Sequence, residues 1–326
     1  MKICIYGAGG IGGFIASRLM RGDHQVSLVA RGPHLAAIQA KGLTLIDEGK
    51  RETIACNATD NPTELGPQDC VVLSLKAHSA PAIADKIKPL LGPKTIVVPA
   101  QNGIPWWYFY KKSGPLEGRR LESLDPGNRL WDAIGPERII GCVVYCSTAI
   151  EEPGAVAHFG NRRFILGEPD DRRSDRIVAL SKAFEATGLE APIADDIRTA
   201  IWVKLWGNCS FNPVSALTSA TLGLMAGDPD GHAVIYRIMA EARGVAEKLG
   251  IAFDVDIETR IKRGGQGGTH KTSMLQDTDA GRPMEIEPLI GAVVELGKMM
   301  SIPTPTIETI LQLVHLRDRA TALRRA

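Results

Sequence analysis

The sequence shows no excess of charge of either sign: 38 Lys and Arg against 37 Asp and Glu leave a formal net charge of +1 over 326 residues. Without a basic surplus, nucleic acid and anionic membranes are not favoured as partners. No apolar run approaches the roughly 20 residues that a membrane-spanning helix needs. Met1 leads directly into a predicted core strand, which leaves no room for a signal peptide. We therefore expect a cytoplasmic protein.

Cysteine pairs and metal-ligand patterns are also missing. The six cysteines lie far apart in the sequence or within strand and helix patterns. Cys142 and Cys146 share one predicted strand, where residues four apart are separated by about 13 Å, too far for a disulfide to bridge. We expect buried, reduced thiols. The seven histidines show no ligand spacing with Cys, Asp or Glu, so no metal site is expected.

A glycine motif near the start of the chain is the strongest positive feature. It reads Gly7-Ala8-Gly9-Gly10-Ile11-Gly12, after an apolar run at 2–6 and before a helical pattern at 14–21, with a second strand predicted at 25–30. Such glycines permit a tight turn, let the backbone approach a phosphate, and let the helix pack on the strand. The helix N-terminus then offers free N–H groups to the anion. The motif predicts a dinucleotide site; the alternative is an ordinary glycine-rich turn.

The end of the second strand indicates which dinucleotide is bound. An NAD site usually carries an acidic residue there, but this chain reads Val29-Ala30-Arg31-Gly32. Arg31 offers a planar fork of donors to a 2′-phosphate, so NADP(H) is predicted. Lys76, at the end of a strand predicted at 70–75, would add charge near that phosphate. The alternative for both residues is a solvated surface side chain.

The pattern of elements predicts two domains. The first half alternates short β-rich runs with helical stretches, as in a parallel sheet covered by helices, and from about Asp195 long helical periodicity takes over. We predict an α/β protein with an N-terminal doubly wound Rossmann-type sheet, residues 1–194, followed by an all-helical domain, residues 195–326. Further strands are predicted at 43–46, 52–55, 95–98, 139–146, 155–159 and 164–166, the last two antiparallel. Helices are predicted at 197–216, 233–249, 284–300 and 306–322.

Three polar residues in the first helix of the second domain form a row. Lys204, Asn208 and Asn212 are spaced i, i+4, i+8, which puts an amine and two amides on one helix face. The surrounding sequence contains Trp202 and Trp206 and is strongly apolar. Polar groups in a buried helix need partners, and a bound ligand can supply them. The alternative is a row that points to water.

Two other features have both a structural and a functional interpretation. Ser273 lies at a predicted helix start and Glu285 opens a predicted helix, so by themselves both are interpreted as caps. The aromatic run Trp106-Trp107-Tyr108-Phe109-Tyr110 stands out in a chain with only 5% aromatic residues. It either covers a loop or forms an apolar wall of the substrate pocket.

Together these motifs resemble the ketopantoate reductase family (2-dehydropantoate 2-reductases) over essentially the whole chain. The matching pieces are the glycine motif, Arg31, Lys76, Gln101-Asn102-Gly103, the row at 204, 208 and 212, and Thr272-Ser273-Met274-Leu275-Gln276-Asp277 with Glu285.

The resemblance implies reduction of a 2-keto acid, foremost ketopantoate, by NADPH. It implies that Lys204 is the general acid and that Glu285 orients the reacting group beside the cofactor. Asn208, Asn212 and Ser273 would hold the substrate, with Asn102 next to both substrate and nicotinamide. It also suggests a homodimer. Two alternatives stay open: a reductase of a bulkier 2-keto acid, and a non-catalytic sensor that binds NADPH.

Overall fold

The computed structural model describes residues 1–323, which form two units. The first comprises Met1–Gln101 and Pro105–Ile197, and the second comprises Asn102–Ile104 and the chain from Arg198 onward. This division differs in two respects from the predicted limits of 1–194 and 195–326. The break follows Ile197, and three residues far upstream belong with the second unit.

The first unit contains a five-stranded parallel sheet in the order β5-β2-β1-β6-β7. The chain starts at the centre, fills one side and then crosses to the other, which is the doubly wound arrangement. The strands are β1 Lys2–Tyr6, β2 Gln25–Val29, β5 Asn57–Thr59, β6 Gln68–Leu73 and β7 Leu91–Pro99, and the helices α1 Gly10–Leu19 and α2 Gly32–Lys41 follow β1 and β2. The predicted Rossmann-type fold is confirmed for this part of the chain.

A second sheet in the same unit has the order β4-β3-β9-β8. Its strands are β3 Leu43–Asp47, β4 Lys50–Ile54, β8 Gly141–Glu152 and β9 Ala155–Gly167, with α3 Arg129–Ile134 before β8 and α4 Asp175–Glu185 after β9. The prediction of two antiparallel strands at 155–159 and 164–166 is wrong, because both belong to β9, which pairs antiparallel with β8. The residues between these two segments continue β9 through an irregular part, where the pairing register with β8 shifts.

Packing of α1 on the central strands forms the core of the first unit. Phe14, Ile15 and Leu19 of α1 are fully buried, as are Ile3 and Ile5 of β1. Each fully buried side chain of this kind contributes about 1.5–3 kcal/mol to the free energy of unfolding. This packing fixes the start of α1 over the carboxyl end of β1, where the glycine motif lies.

The described residues of the second unit contain helices and no strand. The predicted all-helical character of this part is therefore confirmed over the range that the structure describes. The helices are α5 Ile197–Thr218, α6 Leu222–Gly227, α7 Pro229–Lys248, α8 Ile257–Gly265, α9 Ser273–Asp279, α10 Ala292–Met300 and α11 Pro305–Leu323. The helix predicted from Met284 is shorter than expected, because α10 is preceded by a π-helical turn, Glu287–Gly291.

Candidate active site

The glycine turn joins β1 to α1 with little space to spare. Gly7 has φ +105°, and a β-carbon there would lie 2.8 Å from Leu75 Cδ2. At Gly12 a β-carbon would overlap Gly7 O and Ser74 Oγ, so α1 lies directly against the turn. Gly9 has no other atom within 4 Å of its β-carbon position. The turn is closed on its inner side and open at Gly9, where a phosphate can approach the backbone.

Two side chains that the sequence analysis did not identify hold this turn. Ser74 Oγ donates to Gly7 O at 2.7 Å. His34 Nδ1 accepts from the Gly154 N–H at 3.0 Å, so its proton is on Nε2, which donates to Ala8 O at 2.7 Å. Both bonds connect residues far apart in sequence, and no local pattern would have revealed them.

The N-terminus of α1 fits an anion. Its N-cap is Gly9, no side chain caps the first turn, and that turn contains no acidic residue. The first N–H groups and the helix dipole thus stay available to a phosphate. Thr148 of β8 lies against Gly10, with Oγ1 2.7 Å from the β-carbon position, and this buried hydroxyl has no hydrogen-bond partner. Since buried polar groups are nearly always paired, the orphaned hydroxyl also fits a ligand at this turn, which the half-buried Ile11 borders.

Two basic residues follow the carboxyl ends of β2 and β6, the strands on either side of β1 in the parallel sheet. Arg31 is exposed, extended at φ −148°, and comes two residues after β2. Lys76 is half-buried and precedes a short 3₁₀ turn, Ala77–Ser79. The expectation that Lys76 ends its strand is wrong: β6 stops at Leu73, three residues earlier. Both residues still lie in the chain after the carboxyl ends of their strands, which form the edge of the sheet where ligands bind in such folds.

In the second unit, Lys204 Nζ donates to Asn102 Oδ1 at 2.6 Å. The two residues are 102 positions apart in the chain. Lys204 is half-buried on α5, among the buried side chains of Trp202, Leu205 and Trp206. The amine is thus held at a defined point on α5, next to buried apolar side chains.

The position of Asn102 depends on the residue after it. Gly103 has φ +92°, and a β-carbon there would lie 2.5 Å from Pro288 C and 2.7 Å from Pro288 Cβ. The Ile104 N–H donates to Pro288 O at 2.9 Å, within the π-helical turn. Asn102 is therefore anchored by backbone contacts that only glycine at 103 permits. Turns of this π type recur at functional sites.

The other residues of the polar row have different surroundings. Asn212 is buried, and its Nδ2 donates to Ser273 Oγ at 3.5 Å. Asn208 is half-buried, one helical turn after Lys204. The interpretation of Ser273 as a cap is wrong, because Thr272 caps α9 by accepting from the Leu275 N–H at 3.2 Å. The hydroxyl of Ser273 therefore does not cap α9 and instead accepts from Asn212.

Glu285 is 9% exposed. It does not open a helix as expected, since helical structure starts at Ile286, immediately after it. The backbone on both sides of Glu285 is held by hydrogen bonds. The Met284 N–H donates to Asp318 Oδ1 at 3.3 Å, and Pro288 O accepts from the Ile104 N–H.

Comparison with known proteins decides the family. Residues 3–171 match the family described as "Ketopantoate reductase PanE/ApbA", and residues 196–318 match its C-terminal counterpart. The chain belongs to the ketopantoate reductase family. The resemblance predicted from the motifs is thus confirmed.

Individual ketopantoate reductases match over nearly their full lengths. A 2-dehydropantoate 2-reductase of Mesorhizobium japonicum is 51% identical over 315 residues, covering 96% of this chain and 97% of that protein. A crystal structure from Ralstonia solanacearum, provisionally assigned as a ketopantoate reductase, is 40% identical with a TM-score of 0.94 and covers 98% of each chain. The 2-dehydropantoate 2-reductase of Geobacter metallireducens is 28% identical with a TM-score of 0.83, covering 97% and 99%.

The aromatic run of this ketopantoate reductase family member is part of the packing of the first unit. Trp106, Trp107, Tyr108 and Phe109 are buried. Trp106 lies edge-on to Trp131 at a centroid distance of 6.0 Å, as does Tyr110. These contacts favour the interpretation of the run as a cluster that covers a loop.

The six cysteines are free, and Cys4, Cys70, Cys142 and Cys209 are buried. Burial raises the pKa of the Cys4 thiol to about 12, which makes it inert at neutral pH. Within residues 1–323 no group of three or more His, Cys, Asp or Glu is placed to hold a metal ion. Over the same range no helix is long and apolar enough to cross a membrane.

Proposed function

We propose that this chain is an NADPH-dependent oxidoreductase that reduces 2-dehydropantoate (ketopantoate) to pantoate, a step of pantothenate synthesis. The observation that carries the proposal is the amine of Lys204, held at 2.6 Å from Asn102 Oδ1 on a helix whose neighbouring side chains are buried. The 51% identity to a protein named 2-dehydropantoate 2-reductase supports this choice of substrate.

Lys204 acts as the general acid. The keto carbon would receive a hydride from a nicotinamide bound here, and negative charge would then grow on the keto oxygen. The Lys204 ammonium stabilises that charge and donates the proton that completes the hydroxyl. Asn102 accepts one N–H of the ammonium and so directs the others. This use of Lys204 distinguishes an enzyme from a sensor, which needs no proton donor.

The other polar residues of the second unit hold the substrate. Asn208, Asn212 and Ser273 offer amide and hydroxyl groups to its oxygen atoms. The Asn212–Ser273 bond of 3.5 Å is long for a hydrogen bond, so a ligand can replace it at little cost. Glu285 would orient the reacting group beside the cofactor, as the resemblance to the family implies.

The first unit binds NADP(H). Gly7, Gly9, Gly10, Ile11 and Gly12 receive the pyrophosphate at the start of α1, where the turn is open at Gly9. Arg31 takes the 2′-phosphate, and Lys76 adds a second positive charge. The absence of an acidic residue next to Arg31 removes the repulsion that a phosphorylated ribose would otherwise meet.

Assembly and compartment complete the proposal. Leu313 and Leu316 of α11 are 45% and 57% exposed and lie three residues apart on one helix face, which is compatible with a homodimer. The six free cysteines suit a reducing compartment, and we place the enzyme in the cytoplasm.

The test is loss of NADPH absorbance after ketopantoate is added to purified protein. Turnover with ketopantoate supports the proposal. Turnover only with 2-keto acids that carry larger apolar groups would show that the substrate is one of those acids and not ketopantoate. Binding of NADPH without turnover of any 2-keto acid would contradict the enzymatic proposal and favour a sensor.

A further inference from the structure

The proposed site does not balance the charge of its proposed substrate, and the inference below rests on that proposed function. A 2-keto acid carries a carboxylate bonded directly to the keto carbon. Lys204 is positive and Glu285 is negative, while Asn102, Asn208 and Ser273 are neutral. The substrate carboxylate would thus enter without a counter-charge of its own, which is costly for an ion leaving water.

A glycine inside α5 shows where a further cation lies. Gly207 comes three residues after Lys204 and directly before Asn208. Glycine in a helix interior costs about 1 kcal/mol relative to alanine. A β-carbon at Gly207 would lie 2.8 Å from Arg260 Cζ and closer still to Nη2. The guanidinium of Arg260 therefore rests on the α5 backbone in the space that glycine leaves.

Helix α8 holds Arg260 in this place. The helix is capped by Asp256, which accepts from the Thr259 N–H at 2.7 Å. One turn after Arg260, Gly264 receives the ring of Phe211, whose Cε2 would be 2.6 Å from a β-carbon there. The two helices thus meet through two reciprocal contacts, each a large side chain against a glycine.

The charge of Arg260 also acts within α5. Burial raises the pKa of the Cys209 thiol to about 12, and the nearby positive charge of Arg260 opposes that rise. The guanidinium is thus close enough to influence groups on the helix that carries Lys204.

We propose that Arg260 is a specificity-determining residue that receives the carboxylate of the 2-keto acid, and that Gly207 is glycine so that the guanidinium can lie beside Lys204. A guanidinium binds a carboxylate through two parallel N–H donors, which fixes the orientation of the acid as well as neutralising it. The adjoining keto oxygen then faces the Lys204 ammonium. Arg260 thereby selects acids over the corresponding amides.

The experiment compares ketopantoate with its 2-keto amide in wild-type, Arg260→Gln and Arg260→Lys proteins. Arg260→Gln should raise the KM for the acid about 10- to 100-fold, as expected for loss of a charged hydrogen bond, with little change in kcat. Its KM for the amide should stay near the wild-type value, so the preference for the acid disappears. Arg260→Lys should restore part of that preference. Arg263→Gln, an exposed arginine on the same helix, is the matched control.

Gly207→Ala tests the position of the guanidinium without removing it. It should raise the KM for the acid several-fold while Arg260 is present and have no effect in the Arg260→Gln background. Alanine favours the helix, so a folding defect is not expected. Gly244→Ala in α7 is the control, because its β-carbon would meet only Ile302 Cγ2, at 3.6 Å.

Binding of pantoate to the NADP⁺-loaded protein, measured by calorimetry, gives the same comparison without turnover. An active wild type with an unchanged KM and unchanged pantoate affinity in Arg260→Gln would contradict this inference and leave the proposed function standing. Equal increases in KM for acid and amide would also contradict it. A wild type that neither reduces 2-keto acids nor binds pantoate would contradict both.

Discussion

Replacing Gly103 by alanine should disable the enzyme through the position of Asn102. The backbone at 103 has φ +92°, and the new β-carbon would lie 2.5 Å from Pro288 C. The neighbouring atoms belong to the backbone of a helical turn, so they cannot move aside as a flexible side chain could. The segment 102–104 must shift instead, and Asn102 moves away from Lys204 Nζ.

The expected loss of folding stability in Gly103→Ala is the sum of two costs. A residue other than glycine at such a φ costs about 1–3 kcal/mol, and losing the 2.9 Å bond from the Ile104 N–H to Pro288 O costs about 1 kcal/mol more. A displacement of about 1 Å at a reacting group lowers turnover by about 10²-fold. We therefore expect kcat to fall about 10²-fold and the free energy of unfolding to drop by about 2–4 kcal/mol.

Steady-state NADPH oxidation and urea unfolding measure the two effects. Gly114→Ala is the matched control, because Gly114 has φ +111° but no other atom within 4 Å of its β-carbon position. It should lose stability without losing kcat. If Gly103→Ala retained kcat at the level of Gly114→Ala, the reasoning about Asn102 would be refuted.

Three further predictions address the first unit. Arg31→Gln should raise the KM for NADPH about tenfold or more and leave that for NADH nearly unchanged; the exposed Arg173→Gln is the control, and equal effects on both coenzymes would exclude a role at the 2′-phosphate. Thr148→Val should stabilise the ligand-free protein by about 1 kcal/mol, because it removes an orphaned buried hydroxyl, and it should weaken NADPH binding. Thermal denaturation measures the stability and calorimetry measures the NADPH affinity; an unchanged NADPH affinity would mean that Thr148 only packs. Burial alone would raise the pKa of Asp47, but its hydrogen bond and ion pair with His158 and the nearby Arg charges hold that pKa below its usual 3.8. The lowered pKa of Asp47 stabilises the fold above pH 3.8, and this stabilisation is lost as pH falls through the pKa of the folded state. In urea unfolding, Asp47→Asn should therefore be less stable than wild type at pH 7, and the difference in the free energy of unfolding should narrow at pH 3. A difference that does not change with pH would contradict this.

The features that the sequence predicted well are those set by local chemistry. The glycine turn was recognised because its glycines, the strand before it and the helix after it lie within 21 residues. The polar row on α5 was recognised because helical spacing alone puts Lys204 and Asn208 on one face.

The features that the sequence missed depend on tertiary contacts. The pairing of Lys204 with Asn102 spans 102 positions, and the contact of Gly103 with Pro288 spans far more. Periodicity could not distinguish the π-helical turn before α10 from a longer α-helix. The prediction of two strands in place of β9 was wrong because the irregular middle part of this strand has a composition typical of turns. Arg260 escaped notice because a lone arginine on a helix is normally solvated.

The proton donated by Lys204 is the central step of the proposed reaction. The direct measurement is the single-turnover rate of NADPH oxidation by Lys204→Ala at saturating ketopantoate, with the exposed Lys262→Ala of α8 as control. We predict a rate lower by about 10²-fold or more for Lys204→Ala, with NADPH affinity and the control unchanged. A Lys204→Ala rate within a few-fold of wild type would contradict the account.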